Sequence, residues 1–176
     1  MFTDINRFFI VVALIVVTTA CSQKNDARDR EQRAGNATPQ PSSSNFTAAD
    51  VAKLKWIEGT WRGMDGDKPF FERYRFENDT AMIVETFSDD TLSTVESTTR
   101  YELKNGEFGR TKGERRAVAA SITSDAVQFV PVSGGGNAYR FERQADGTWN
   151  AVLEWPASSG KPAGQKVYRM ERYERP

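Results

Sequence analysis

Beyond Gly59, apolar and polar residues alternate with a period of two, and this pattern constrains the fold more than any other feature of the chain. In residues 95–104, for example, Tyr101 and Leu103 share one face while Arg100 falls on the other. A β-strand points successive side chains to opposite faces of a sheet, so such a segment predicts a half-buried strand. Turn signals separate similar segments at intervals of about 8–12 residues, which favours an all-β fold.

Ten short strands are predicted from this alternation. They cover residues 59–64, 70–77, 81–87, 93–104, 107–110, 117–123, 126–132, 138–143, 149–155 and 166–173. Asn105-Gly106 and Asp146-Gly147 are typical of tight hairpins, and no helical pattern separates the strands. A long meander with one apolar face leaves exposed edges unless it closes, so we expect an antiparallel β-barrel of about 8–10 strands.

A short helix is expected before the first strand, because Thr47-Ala-Ala-Asp50 resembles a capping box and Val51 and Leu54 form an apolar face. Residues 22–45 contain no large apolar side chain and are predicted to be a disordered linker. The predicted domains are therefore a signal peptide at 1–20, a modified cysteine with its linker at 21–45, and a barrel domain at 46–176.

The N-terminus carries an apolar run, Phe8–Val17, that is short for a membrane span. It ends in Thr18-Thr19-Ala20-Cys21, which resembles the lipobox of bacterial lipoproteins, although Thr18 stands where leucine or valine is usual. The resemblance implies cleavage between Ala20 and Cys21 and lipid attachment to the Cys21 thiol. It also implies an envelope protein held on a membrane, with the outer membrane favoured because serine follows the cysteine. The alternative is an uncleaved anchor helix.

The opening of the predicted barrel, residues 54–63 (LKWIEGTWRG), resembles the short helix and Gly-x-Trp strand of lipocalins and related calycin barrels. It is most similar to bacterial lipocalin-like domains of unknown function. The resemblance implies that Gly59 lets the first strand bend under the barrel and that Trp61 plugs its closed end. An arginine of the last strand is then expected across the Trp61 ring. Strand parity favours Arg172 for this role over Arg169.

The interior of such a barrel holds either a ligand or a packed core, and the sequence leaves both alternatives open. Eight inward aromatic residues are the candidate cavity lining: Tyr74, Phe76, Tyr101, Phe129, Tyr139, Phe141, Trp155 and Tyr168. The expected lipid anchor makes a small apolar or amphiphilic ligand the first hypothesis. The alternative is a filled barrel that serves as a structural module or binds another envelope protein.

Composition excludes several other functions. The chain has no histidine and a single cysteine, so Ser-His pairs, imidazole zinc sites and internal disulfides are ruled out. Lys+Arg and Asp+Glu both number 24, which gives no footprint for nucleic acid. Ser158 and Lys161 have the spacing of a catalytic serine–lysine motif but lie in an expected flexible loop. Glu72 and Glu85 are weak candidates for catalytic carboxylates, and Asp65 is assigned to a loop. We therefore expect no catalysis, no cofactor and no metal site.

Overall fold

The computed structural model of the chain describes residues 45–110, 116–132, 136–158 and 162–175. Within these residues a short helix, α1 (Ala48–Ala52), continues into a 3-10 helix (Lys53–Ile57) and is followed by ten strands. The strands are β1 (Gly59–Asp65), β2 (Lys68–Asn78), β3 (Ala81–Phe87), β4 (Val95–Lys104), β5 (Glu107–Arg110), β6 (Ala117–Ile122), β7 (Ala126–Pro131), β8 (Ala138–Arg143), β9 (Trp149–Trp155) and β10 (Gly164–Arg172). The predicted signal peptide and Cys21 lie outside the described residues.

Each strand pairs antiparallel with its neighbour in sequence, and β1 pairs with β10, so the sheet is a closed ten-stranded barrel. The predicted meander barrel with a short N-terminal helix is confirmed, and the closed barrel is consistent with a calycin-like fold. Strand β4 begins at Val95, later than expected, because the Ser88 N–H donates to the Thr94 carbonyl at 3.2 Å and holds that residue in the β3–β4 loop.

The seam between β1 and β10 closes the barrel through a short register in which Trp61 faces Arg172 and Arg62 faces Glu171. The N–H of Tyr173 donates to the Thr60 carbonyl at 2.9 Å, which extends the pairing beyond the strand. Arg62 and Glu171 form an ion pair at 3.1 Å on the outer face. Because few backbone pairs join these strands, the side chains at the seam contribute to closure.

The helical segment seals one end of the barrel. The Asp50 carboxylate accepts hydrogen bonds from the Thr47 N–H and hydroxyl, each at 2.9 Å, so the predicted capping interaction is present. Val51, Leu54 and Ile57 are fully buried and belong to the hydrophobic core at this end. Neither helical segment of the described chain is long and apolar enough to span a membrane.

The direction of the meander separates a closed end from an open end. Since α1 leads directly into β1, the strands β2, β4, β6 and β8 end at the helix end of the barrel, and β1, β3, β5, β7 and β9 end at the other end. At the helix end, Asn105 (φ 52°) and Gly106 (φ 80°) form the tight turn that their sequence predicts.

The outer face of the barrel carries arginines paired with carboxylates on other strands. Arg73 contacts Glu85 at 2.7 Å, and Arg100 contacts Glu77 at 2.6 Å. Such half-exposed pairs each add only about 0–1 kcal/mol to stability. Their aliphatic stems nevertheless cover apolar surface, since Ile83 lies in register beside Arg100 and is 4% exposed.

Candidate ligand cavity

A cavity of about 480 Å³ lies inside the barrel toward the open end. Its volume is within the range of about 300–1,000 Å³ that is typical of small-molecule sites. Six aromatic side chains belong to its wall: Phe70, Tyr74, Tyr101, Tyr139, Phe141 and Tyr168. They project from β2, β4, β8 and β10, so the cavity is enclosed from several sides of the barrel.

Below the cavity the barrel is filled. Phe129 is fully buried and its ring stacks on Tyr139 at a centroid distance of 4.9 Å, with Tyr101 at 5.2 Å. Trp149 is also fully buried and meets Phe141 edge-on at 5.0 Å. The interior is therefore divided into a packed core near the helix and a cavity near the open end. The sequence left a ligand cavity and a packed core open as alternatives, and the barrel contains both.

The eight aromatic residues predicted from parity lie at different positions along the barrel axis. Tyr74, Tyr101, Tyr139, Phe141 and Tyr168 line the cavity. Phe129 forms the floor under them, as described above. Parity assigns a side chain to the inner face, but it does not say how far along the barrel axis that side chain lies.

The remaining two predicted aromatic residues lie away from the cavity wall. Phe76 packs near the closed end, where the Lys55 ammonium lies 4.2 Å from its ring centre. Trp155 ends β9 and lies against Gly164 of β10, where an added Cβ would meet the indole ring at 2.7 Å. Neither ring belongs to the cavity lining.

A carboxylate on β2 joins the aromatic wall. Glu72 lines the cavity and accepts a hydrogen bond from the Tyr74 hydroxyl at 2.6 Å. Burial raises the pKa of Glu72 above its usual range, and the Tyr74 hydrogen bond partly opposes this shift. Burial, together with the Glu72 charge, raises the pKa of Tyr74 well above 10. Tyr74 is therefore a hydrogen-bond donor at any physiological pH, and Glu72 is a carboxylate whose charge is poorly solvated.

A pair of tyrosine hydroxyls lies in the same cavity. The hydroxyls of Tyr101 and Tyr139 are 3.2 Å apart. Burial raises the pKa of Tyr101 to about 12 and that of Tyr139 well above 10, while the nearby Arg110 charge acts in the opposite direction on both. Both hydroxyls stay protonated, so this pair can donate a hydrogen bond to a ligand that enters the cavity.

Arg110, the last residue of β5, supplies a guanidinium to the cavity wall. Within the described ranges, no carboxylate forms an ion pair with it. Asp65, at the end of β1, also lines the cavity, but it pairs with Lys166 of β10. The Lys166 ammonium lies 4.9 Å from the Tyr168 ring centre, which places this ion pair beside the aromatic wall.

The closed end carries the arginine–tryptophan contact. The Arg172 guanidinium lies 5.0 Å from the Trp61 ring centre and donates to the Glu58 carbonyl at 2.6 Å. Gly59 has a φ of 129° and lies directly against this guanidinium, so a Cβ there would collide with it. Arg169 lies on the outer face and pairs with an aspartate instead.

The residues weighed as enzyme candidates are scattered. Glu85 lies on the outer face of β3 in an ion pair with Arg73, and Glu72 faces the cavity. Ser158 is exposed in the connection after β9, and Lys161 lies outside the described residues. The described part of these groups does not converge on one place.

The sequence comparisons identify no relative. No protein-family model matches the chain. No curated protein matches it significantly either.

The charged and aromatic lining residues Asp65, Phe70 and Arg110 were not predicted as lining from the sequence, although strand parity contains the signal. Arg110 is two residues from Phe108, a buried core residue of the same strand. Asp65 shares its parity with Trp61, and Phe70 shares its parity with Tyr74. Phe70 and Arg110 lie inside the predicted strands, so parity alone assigns them to the inner face. Asp65 was assigned to a loop, but it is the last residue of β1, one residue beyond the predicted end of that strand.

Proposed function

We propose that the chain is a membrane-anchored lipoprotein whose barrel binds a small amphiphilic ligand in the cell envelope without catalysing a reaction. The observation that carries the proposal is the cavity of about 480 Å³ at the open end of the barrel. Most of its lining residues are aromatic or aliphatic, with a few polar groups among them, which is the usual composition of a small-molecule site.

The cavity favours ligand binding over a filled barrel. A barrel that served only as a structural or interaction module would have no need to keep its mouth hollow, because a void forfeits packing contacts. In the half of the barrel near the helix, rings such as Phe129 and Trp149 fill the interior. Ligand binding therefore explains why the half near the open end contains a cavity.

The anchor part of the proposal rests on the sequence alone. Cleavage after Ala20 and acylation of Cys21 would hold the barrel on a membrane, preferably the outer membrane. Several acyl chains bind a bilayer far more firmly than one chain, at about 0.8 kcal/mol per buried methylene. Growth with a radioactive fatty acid should label the full chain and leave the Cys21→Ala variant unlabelled; equal labelling of both would refute lipid attachment at this cysteine.

Native mass spectrometry of the full chain, purified from its own host in mild detergent, tests the ligand proposal. We expect a fraction of the protein to carry a non-covalent adduct that dissociates on collisional activation. The matched comparison is a Thr99→Phe variant, in which a larger side chain on the cavity wall should exclude the adduct. An adduct-free wild type that also fails to bind the neutral apolar dye N-phenyl-1-naphthylamine would overturn the proposal.

A further inference from the structure

The cavity contains two opposite charges that do not neutralise each other. Glu72 projects from β2 and Arg110 from β5, and both belong to the lining. They do not form an ion pair, although oppositely charged neighbours on the outer face do so repeatedly. Strands β2 and β5 are three strand spacings apart, or about 14 Å along the wall. The cavity thus has an acidic pole and a basic pole.

Tyr101 lies between the two poles. It projects from β4, which lies between β2 and β5 in the sheet, and it lines the same cavity as Glu72 and Arg110. The Glu72 charge raises the pKa of the Tyr101 hydroxyl, and the Arg110 charge lowers it. The Arg110 charge also lowers the pKa of the neighbouring Tyr139 hydroxyl. The two poles therefore face a common space rather than separate pockets, and one ligand could reach both.

A carboxylate held in an aromatic wall is a costly arrangement unless a cation meets it. Glu72 has a single hydrogen bond among the described residues, from the Tyr74 hydroxyl, and this leaves the other carboxylate oxygen without a partner there. Phe70 and Phe141 line the same cavity, and the face of an aromatic ring attracts a positive charge. The acidic pole therefore suits an ammonium group.

The basic pole suits an oxyanion. A guanidinium offers five N–H donors in a planar fork that matches a carboxylate or phosphate. Arg110 uses none of these donors on another described carboxylate. The hydroxyls of Tyr101 and Tyr139 line the same cavity, and the Arg110 charge lowers the pKa of both. Together they form a cluster rich in donors at one side of the cavity.

Resting on the ligand-binding function proposed above, we propose that the cavity selects a small zwitterion, with its ammonium group at Glu72, its carboxylate or phosphate at Arg110, and an apolar body against the tyrosine rings. The two charges of the cavity cancel, and the Asp65–Lys166 pair at the wall is already neutral. A pure cation would leave Arg110 unpaired, and a pure anion would leave Glu72 unpaired. Selectivity follows from these unpaired charges.

Three matched probes test this selectivity by isothermal titration calorimetry on the full chain. The zwitterion is 4-(2-aminoethyl)benzoate, 2-phenylethylamine lacks its carboxylate, and 4-ethylbenzoate lacks its ammonium. We expect the zwitterion to bind about 10- to 100-fold more tightly than either analogue, since each omission leaves a buried charge without its partner. Equal affinities for all three would overturn the proposal.

Two variants assign the poles. In Glu72→Gln, which keeps an acceptor for the Tyr74 hydroxyl, 4-ethylbenzoate should bind at least as tightly as the zwitterion. In Arg110→Gln the preference should move to 2-phenylethylamine. The control is Glu85→Gln, which removes a carboxylate from the outer face of the neighbouring strand. It should leave the order of affinities unchanged; a Glu85→Gln variant that behaved like Glu72→Gln would refute the assignment.

A lipid arm distinguishes the source of the zwitterion. Monomeric lysophosphatidylethanolamine carries an ammonium and a phosphate on a lipid, whereas lysophosphatidylglycerol carries only the phosphate charge. Displacement of bound 4-(2-aminoethyl)benzoate by the first but not the second would assign the site to a zwitterionic lipid head. Displacement by neither, with the small zwitterion still bound selectively, would assign it to a free small molecule.

The failure of this inference is distinguishable from that of the ligand-binding function. If N-phenyl-1-naphthylamine binds in the cavity and the zwitterion shows no advantage over its analogues, the barrel binds ligands but the charge selectivity is wrong. If neither the dye nor any probe binds, both are wrong.

Discussion

Replacing Arg172 with methionine should weaken the closed end of the barrel. Methionine keeps an unbranched apolar stem but removes the guanidinium that lies 5.0 Å from the Trp61 ring centre and donates to the Glu58 carbonyl. The cation–π contact contributes about 0.5–2 kcal/mol. The hydrogen bond is partly exposed to solvent and contributes about 0.5–1.5 kcal/mol. We therefore expect a loss of about 1–3 kcal/mol in the free energy of unfolding.

The assay is urea unfolding of the full chain followed by tryptophan fluorescence, with thermal unfolding as a second probe. A loss of about 2 kcal/mol should lower the thermal midpoint by roughly 6–10 °C for a domain of this size. The matched control is Arg169→Met on the same strand. Its guanidinium faces outward and is 57% exposed, so its ion pairs should contribute no more than about 1 kcal/mol.

A double-mutant cycle isolates the Arg172–Trp61 contact from the hydrogen bond. Trp61→Phe alone removes the indole N–H that donates to the Ile57 carbonyl at 2.7 Å, and it also reduces the π-surface. Combined with Arg172→Met, the two changes should cost less than their sum by about 0.5–1.5 kcal/mol, because they share one interaction. Strict additivity, or an Arg169→Met variant as destabilised as Arg172→Met, would refute a stabilising role for this contact.

Three further predictions concern stability. Gly109→Ala should lower the free energy of unfolding by more than about 2 kcal/mol in urea titrations, because its Cβ would meet the backbone of Ala117 and Val118. The control Gly136→Ala should be close to neutral, because the nearest neighbour of its Cβ would be 3.7 Å away. Equal effects of the two substitutions would contradict the steric reason. Because the pKa of Glu72 is raised in the folded state, its stabilising contribution is present at low pH and is lost as the pH rises above the ordinary carboxyl range. The stability of Glu72→Gln relative to wild type should therefore increase between about pH 4 and neutral pH, and a constant difference in urea titrations would argue against a desolvated carboxylate. Burial raises the pKa of Tyr101 to about 12, so its contribution is complete below the ordinary tyrosine pKa of 10.0 and is lost as the pH rises from there to about 12. Tyr101→Phe should flatten this alkaline loss of stability relative to wild type. A spectrophotometric titration of the folded chain in which every tyrosine ionises with an ordinary pKa near 10 would refute the prediction.

The architecture was predictable from the sequence because its signals are local and repeated. Alternation defines each strand, and dipeptides such as Asn105-Gly106 define the hairpins between strands. Closure followed from a general property, the instability of long exposed sheet edges. The capping interaction of Thr47 with Asp50 was likewise visible in four residues of sequence.

The site was less predictable because it depends on position along the barrel axis. Alternation placed Tyr74 and Phe76 on the same face, yet one lines the cavity and the other packs near the helix. The alternation around Arg110 spans only four residues of β5, too few for its parity to stand out. The contact between the hydroxyls of Tyr101 and Tyr139 joins strands distant in sequence, and a single sequence carries no signal for such a contact.

The most direct test of a ligand site inside the barrel is the binding of N-phenyl-1-naphthylamine to Thr99→Phe and Thr98→Phe, measured by dye fluorescence. Thr99 lines the cavity, whereas Thr98 is its exposed neighbour on the opposite face of β4. The account predicts at least a tenfold loss of affinity in Thr99→Phe, with a cooperative unfolding transition retained, and wild-type affinity in Thr98→Phe. Wild-type binding by both variants, or equal losses in both, would contradict a ligand site within this cavity.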